Sequence, residues 1–365
     1  MVRKYLPKSI EDLADWYMRY VSPLALIAAF LFDSFVLFKR VDLWTSNALL
    51  FFYLAVAAAC IVFLNLIELG RLRHVFFLKI LPLIPVAAQF AFGGLFSAYL
   101  SLYSRSAAYA VSWIFVIVIV FLLIGNERFF RLYRRFSFQM SMYFMVLFSF
   151  LIFFLPLVFH RIDQYMFVAS GILALILIAG FVSAMFYLFP ERRSERTNLA
   201  RSIAVIFVGF NVLYFSGAIP PLPLALKEAG VYHSVTRVGD EYHLLSEPRA
   251  WYQAFLNYNN VLRLAPGERA YAFSAVFAPE GLSTTMLHQW QHYDEARGRW
   301  ITQETVAFPL VGGRDGGYRG YSFDTSRLPG KWRVNVMTDF SRLIGRISFR
   351  IEAVSETPPL EEVVR

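Results

Sequence analysis

Few residues in this chain have types and spacings that could do chemistry. His288 and His292 stand four apart in His288-Gln-Trp-Gln-His292, a spacing that brings two imidazoles to one metal ion when the segment is helical. The surrounding residues alternate as a strand does. Four strand residues separate the two side chains by about 13 Å, whereas metal ligands sit near 2 Å. No metal and no cofactor is therefore expected. Gly312-Gly313-Arg314-Asp315-Gly316-Gly317 has the glycines of a phosphate cradle but lacks the following Lys-Ser/Thr and a helix start, so it reads as a loop. Nucleophile elbows and dinucleotide fingerprints are missing too, and Asp294 and Glu304 cannot be paired from one sequence. What remains is binding chemistry. His288, Trp290, His292, Arg333 and Arg350 mix aromatic rings with charge, a combination suited to sugars or peptides. The alternative is that Trp290 and Trp332 fill a core and the arginines are ordinary solvent-facing strand residues.

A second set of polar groups lies within apolar stretches: Asp33, Asn65, Glu68, Lys79 and Gln89. An ionisable group at membrane depth costs several kcal/mol unless paired or wetted, so each is a functional candidate by default. Asp33 stands close enough to Lys39 and Arg40 for a structural ion pair. Asn65 and Glu68, three apart, share a helix face; Lys79 either pairs with Glu68 or snorkels to the interface. Gln89 follows Pro82 and Pro85 and precedes Gly93-Gly94. That pattern fits a broken helix lining a transport site, or a kinked helix packed through small residues.

The elements that must position these groups follow from composition. Of 365 residues 58% are apolar, 18% aromatic and only 17% charged, against roughly 45–50% apolar and about 25% charged in soluble domains. Disorder is excluded, and the single Cys60 excludes an intrachain disulfide framework. Seven runs approach the ~20 apolar residues a spanning helix needs: 21–38, 47–68, 80–103, 107–124, 139–159, 165–190 and 202–219. The net charge of +9 falls wholly within residues 1–219, spread over short connectors. That distribution favours phospholipid over nucleic acid as the partner. One set of connectors carries 15 Lys and Arg and the alternate set 4. The positive-inside rule then puts the N-terminus in the cytoplasm and residues 220–365 outside, in a bacterium the periplasm or cell exterior. Residues 1–20 read as a cytoplasmic segment whose 9–20 portion is an interfacial helix with Trp16 and Tyr17 at headgroup level.

After Pro220, Pro221 and Pro223 the pattern changes. Residues 220–270 read as a linker holding a hairpin, 231–238 and 241–246 about Gly239-Asp240, and a helix over 248–262 with Trp251, Phe255 and Tyr258 on one side. Residues 271–356 read as short strands, 271–277, 283–293, 299–308, 317–323, 331–338 and 345–354, punctuated by glycine and proline turns; 357–365 reads as a tail. In the last strand Ile347, Phe349, Ile351 and Ala353 alternate with Arg346, Ser348, Arg350 and Glu352, the mark of one face on a core and one in water. The expected architecture is an α-helical membrane bundle of about seven transmembrane helices followed by an extracytoplasmic, mainly antiparallel β-sandwich.

His288-x-Trp290, Pro329-Gly330-Lys331-Trp332-Arg333-Val334-Asn335-Val336 and Leu343-Ile344-Gly345-Arg346-x-x-Phe349 resemble the bacterial domain of unknown function 2914. Val41-Asp42-Leu43-Trp44 and Leu64-Asn65-Leu66-Ile67-Glu68 resemble the multi-span region preceding it in some members. Asp339-Phe340-Ser341-Arg342 stands where such domains often have a glycine-containing tight turn. The resemblance implies a membrane-tethered β-domain and supplies no catalytic residues. Two functions are expected from all this. One is a membrane-anchored module binding a cell-envelope polymer or protein partner. The other is a membrane-embedded transporter or lipid-modifying enzyme using the polar residues of the first three spans.

Overall fold

The computed structural model describes residues 30–38, 42–72, 74–106, 109–128, 132, 135–220, 223–248, 261–314, 316–325 and 328–365. It divides into a helical unit and a unit of strands built on Pro220–Arg365.

The helical unit contains a π-turn, Asp33–Leu37, then α1 (Trp44–Glu68), α2 (Val75–Ile80), α3 (Leu83–Ser106), α4 (Tyr109–Arg128), α5 (Phe136–Phe159) and α6 (Gln164–Leu188). A 3-10 turn, Pro190–Glu195, leads into α7 (Arg196–Phe215). Among the described residues, five helical stretches are long and apolar enough to cross a membrane: Trp44–Glu68, Leu83–Ser104, Phe136–Phe159, Gln164–Leu188 and Pro190–Phe215. The run 107–124 corresponds to α4, whose described apolar portion, Ser112–Asn126, is shorter. Residues 21–29, half of the run 21–38, and the interfacial helix over 9–20 lie outside the described residues. Among the described residues, five candidate spans are therefore seen.

Hydrogen bonds fix α5 as the hub. Tyr99 Oη on α3 donates to Val146 O at 2.8 Å, and Ser170 Oγ on α6 donates to Leu151 O at 2.9 Å. Phe148 of α5 lies within 4.8–5.9 Å, centroid to centroid, of Phe144, Phe167, Phe207 and Phe210. Asp163 caps α6, its Oδ1 accepting from Met166 N at 2.9 Å. The expected break in the third span falls at its start. Leu81-Pro82 is a turn between α2 and α3, and Pro85 lies in the first turn of α3, where a missing N–H removes no helical bond. Further along, Gly94 lets the Tyr53 ring approach its backbone closely, so small residues here serve packing.

The second unit has eleven strands: β1 (Ala225–Tyr232), β2 (Ser234–Val238), β3 (Glu241–Ser246), β4 (Val261–Leu264), β5 (Ala270–Phe277), β6 (Ser283–Asp294), β7 (Arg299–Val311), β8 (Tyr318–Asp324), β9 (Gly330–Thr338), β10 (Leu343–Ala353) and β11 (Glu361–Val364). They form three sheets, ordered β1-β5-β8, β4-β10-β9-β6-β7 and β11-β3-β2. All pairs are antiparallel except β4 with β10. Ala229, Val231, Ala270 and Ala272 of the first sheet share a core with Trp290, Trp332, Val334, Ile347, Phe349 and Ile351 of the second. On the other side, Tyr232 and Phe273 of the first sheet join Val235, Tyr242 and Leu244 of the third. The sheet β1-β5-β8 is thereby covered on both faces, which explains the nearly unbroken burial of β5.

The strands over 271–354 form where alternation places them. Earlier and later segments differ. Residues 249–260, with Trp251, Phe255 and Tyr258, lie outside the described residues. Val261 and Leu262, read as the end of a helix, are in strand β4 beside Arg350 and Ile351. The segment read as a tail contains β11, which pairs with β3. Ala353 is exposed, because the core-facing register ends at Ile351. The β9–β10 hairpin closes without glycine: Ser341 takes φ +59°, and Thr338 N donates to Arg342 O at 2.9 Å.

Candidate functional site

Strand β6 sorts the expected binding residues. Met286, His288 and Trp290 point into the core, each 0% exposed, while Gln289, Gln291 and Tyr293 point the other way. His288 is held from both sides: Nε2 lies 2.8 Å from Ser274 Oγ and Nδ1 2.9 Å from Ser322 Oγ. Trp290 Nε1 donates to the same Ser322 Oγ at 2.9 Å. One proton arrangement satisfies all four groups. Ser322 accepts from Trp290 and donates to Nδ1, leaving Nε2–H to donate to Ser274. Burial pushes the imidazole down to about 3, so it is neutral. A serine beside a histidine also begins a nucleophilic pair, but Ser274 and His288 are both fully buried, and the cluster acts as a polar pin through the core. Trp290 and Trp332 pack edge-to-face at 6.3 Å, and Trp332 Nε1 donates to Leu328 O at 2.7 Å. The two tryptophans are core.

Of the expected five, His288 and Trp290 are therefore withdrawn from solvent. His292 is half-buried, its Nε2 3.1 Å from Pro329 O and its ring 5.0 Å from that of Trp332. Arg350 is exposed on β10, opposite Lys331. Arg333 is half-buried on the outer face of the five-stranded sheet, and it leads to a site that the five-residue grouping missed.

On that face the register sets Arg346, Asn335 and Gln289 in one row, and Ser348, Arg333, Gln291 and Thr302 in the next. Arg346 Nε donates to Asn335 Oδ1 at 2.7 Å, and Arg333 Nε donates to Gln291 Oε1 at 2.6 Å. Asn335 Nδ2 donates to Gln289 Oε1 at 3.0 Å and Gln291 Oε1 at 3.2 Å; Gln291 Nε2 donates to Thr302 Oγ1 at 3.0 Å. The Arg333 guanidinium lies 4.2 Å from the centroid of the Trp300 ring, and Lys331 Nζ sits 5.4 Å from that of Tyr293. Burial and the neighbouring Arg346 push the Arg333 guanidinium down to about 10; burial lowers Arg346 as well. Both remain cationic at neutral pH. Among the described residues, no carboxylate forms an ion pair with Lys331, Arg333, Arg346 or Arg350. The signal for this site was present as polar residues at every second position, 289 and 291, 333 and 335, 346 to 350.

The helical candidates separate. Asn65 is buried and donates to Gln139 Oε1 on α5 at 2.9 Å. Glu68 pairs with Arg192 at 3.0 Å rather than with Lys79, which is exposed on α2. The Gln89 backbone carbonyl accepts from Asn126 Nδ2 at 2.9 Å. Asp33 is buried beside Ser97; Lys39 and Arg40 lie outside the described residues. The structure joins Asn65 to Gln139 and Glu68 to Arg192, and does not gather the five into one site. No group of three or more metal-ligating side chains occurs among the described residues.

Apolar helices compatible with a membrane protein, joined to a mostly antiparallel sheet domain with a cationic amide-framed face, define the class. Within it, residues 283–351 match the family described as "Protein of unknown function (DUF2914)", a stretch holding β6 to β9 and most of β10, and with them the outer-face cluster. No curated protein matches. Among solved structures, Pseudomonas fluorescens alkylpurine DNA glycosylase AlkC, bound to DNA containing an abasic site analog, aligns at 10% identity. The alignment covers 84% of this chain and 97% of that one with a TM-score of 0.22, which carries no argument about fold or activity.

Proposed function

We propose that this chain is a multi-pass protein of the bacterial inner membrane, with a cytoplasmic N-terminus, that presents its sheet domain on the outer side as a binding module for an anionic cell-envelope polymer. In this reading the helices anchor the chain, and the five-stranded and β1-β5-β8 sheets form a sandwich to which β11-β3-β2 is added. The connector asymmetry supports the orientation. The observation that carries the binding role is the placement of Arg333 and Arg346 on adjacent strands with no ion-paired carboxylate among the described residues, amid directed amides and beside Trp300. Like charges held together cost stability unless something else gains, and planar guanidinium groups recognise carboxylates and phosphates. The amides suit hydroxyl groups and Trp300 suits a sugar face.

The test is retention of the detergent-solubilised full chain on polygalacturonate and on poly(glycerol phosphate), with neutral dextran as control. The wild type should be retained on one or both anionic polymers and released by salt, while R333Q/R346Q binds at least tenfold more weakly. Equal retention on dextran, or an unaffected double variant, would overturn the reading.

A further inference from the structure

The helical unit holds a cleft of about 910 Å³ between α5 and α7 that nothing above assigns. Its chemistry is graded along its length. At one end stand Arg135, Arg192, Asn198, Arg201 and Ser202; toward the other the walls become Met142, Met145, Val205 and Ile206. Ser137 to Met145 on α5 and Asn198 to Ile206 on α7 each rise about 12 Å, most of one ~15 Å hydrocarbon leaflet.

Among the described residues, the charge at the polar end is not balanced internally. Arg192 is engaged by Glu68 at 3.0 Å and Glu195 at 3.5 Å, and Glu195 also accepts from Ser137 Oγ at 2.6 Å. Among the described residues, the Arg192 Nε is nevertheless buried without a partner. Arg135 and Arg201 are exposed, and among the described residues neither forms an ion pair. On the other side of α7 a groove of about 800 Å³ repeats the arrangement, with Arg193 and Arg196 at its polar end and Ile178, Val182 and Ile203 along its wall.

We infer that the α5–α7 cleft binds a glycerophospholipid with an anionic headgroup, its phosphate at Arg135 and Arg201 and one acyl chain along Met142, Met145, Val205 and Ile206. This rests on the membrane-anchor part of the proposed function and is independent of the polymer-binding face. An occupant needs one anionic end and about 12 Å of apolar chain, which excludes a free anion and a wholly apolar lipid tail.

Native mass spectrometry of the full chain in detergent tests it, titrating dioleoyl phosphatidylglycerol against dioleoyl phosphatidylcholine, with inorganic phosphate as competitor. Phosphatidylglycerol should bind in preference, and R135Q/R201Q should weaken it roughly 30-fold, as removal of two interfacial arginines predicts. V205W, which fills the apolar wall and leaves the charges, should also weaken it. Unaltered circular dichroism in either variant separates lost binding from lost folding. Equal binding of the two lipids, displacement by millimolar phosphate, or wild-type affinity in both folded variants overturns the assignment. None of these outcomes alters retention on polygalacturonate, so the two readings fail separately.

Discussion

Asn335 ties Arg346 to Arg333. Its Oδ1 accepts from Arg346 Nε at 2.7 Å while its amide donates to Gln291 Oε1, which accepts from Arg333 Nε at 2.6 Å. The bridge fixes two like charges on neighbouring strands, and Arg333 is pushed down to about 10 through burial and the adjacent Arg346. A bound anion relieves that repulsion. Polygalacturonate should therefore raise the unfolding temperature of the wild-type chain, by about 2.7 kcal/mol of stability at a hundredfold excess over Kd. R333Q/R346Q should show no such increment in differential scanning fluorimetry.

His288 makes stability depend on pH in a defined direction. In the folded chain its imidazole titrates near 3, and in the unfolded chain near the ordinary 6.5. The unfolded state binds the extra proton between those values. The contribution is thus complete above about pH 6.5 and declines as pH falls toward 3, by up to ~1.4 kcal/mol per unit. Denaturant melts of wild type and H288Q between pH 4 and 7 check this; the variant should lose that component of the slope.

Removing the imidazole should also cost stability at neutral pH. H288L leaves Ser274 Oγ buried without the partner it has in the wild type, a loss of about 1–3 kcal/mol. Ser322 keeps Trp290, so S274A combined with H288L should recover part of the loss, read from the same melts.

Ser341 sits at φ +59° in the β9–β10 turn, a conformation that costs a non-glycine residue about 1–2 kcal/mol. S341G should raise stability by about 0.5–1 kcal/mol after the added unfolded-state entropy is counted. A rise of a few degrees in the unfolding temperature is expected, with polymer binding unchanged.

Gly320 on β8 lies under the Phe308 ring, where a methyl group would overlap the ring edge. G320A should destabilise by about 1–3 kcal/mol. Shortening the ring with F308L in the same chain should return most of it, a coupling that a double-mutant cycle measures.

Some of this was legible in the residues alone. Apolar runs name the long helices compatible with a membrane, because backbone in hydrocarbon must be satisfied within its own segment. Strict alternation named β10 because a strand presents opposite faces at successive residues. The turn at Gly239-Asp240 and the resemblance over 283–351 were equally readable. Alternation does not say which face is covered, however. His288 and Trp290 read as surface or core until Ala272 and Ser274 of β5 are seen making room for them. The polar pin and the Arg333–Arg346 pairing depend on partners 11 to 46 residues away. Strands β4 and β11 are four residues each and gain their structure only from β10 and β3, so local pattern is too short to reveal them. Within the helices, apolar residues are spread around the axis rather than confined to one stripe, and only side-chain fit made α5 the hub and opened a cleft beside α7. Local sequence determined the periods and the segments, whereas long-range packing decided which side of each was buried and which charges were brought together.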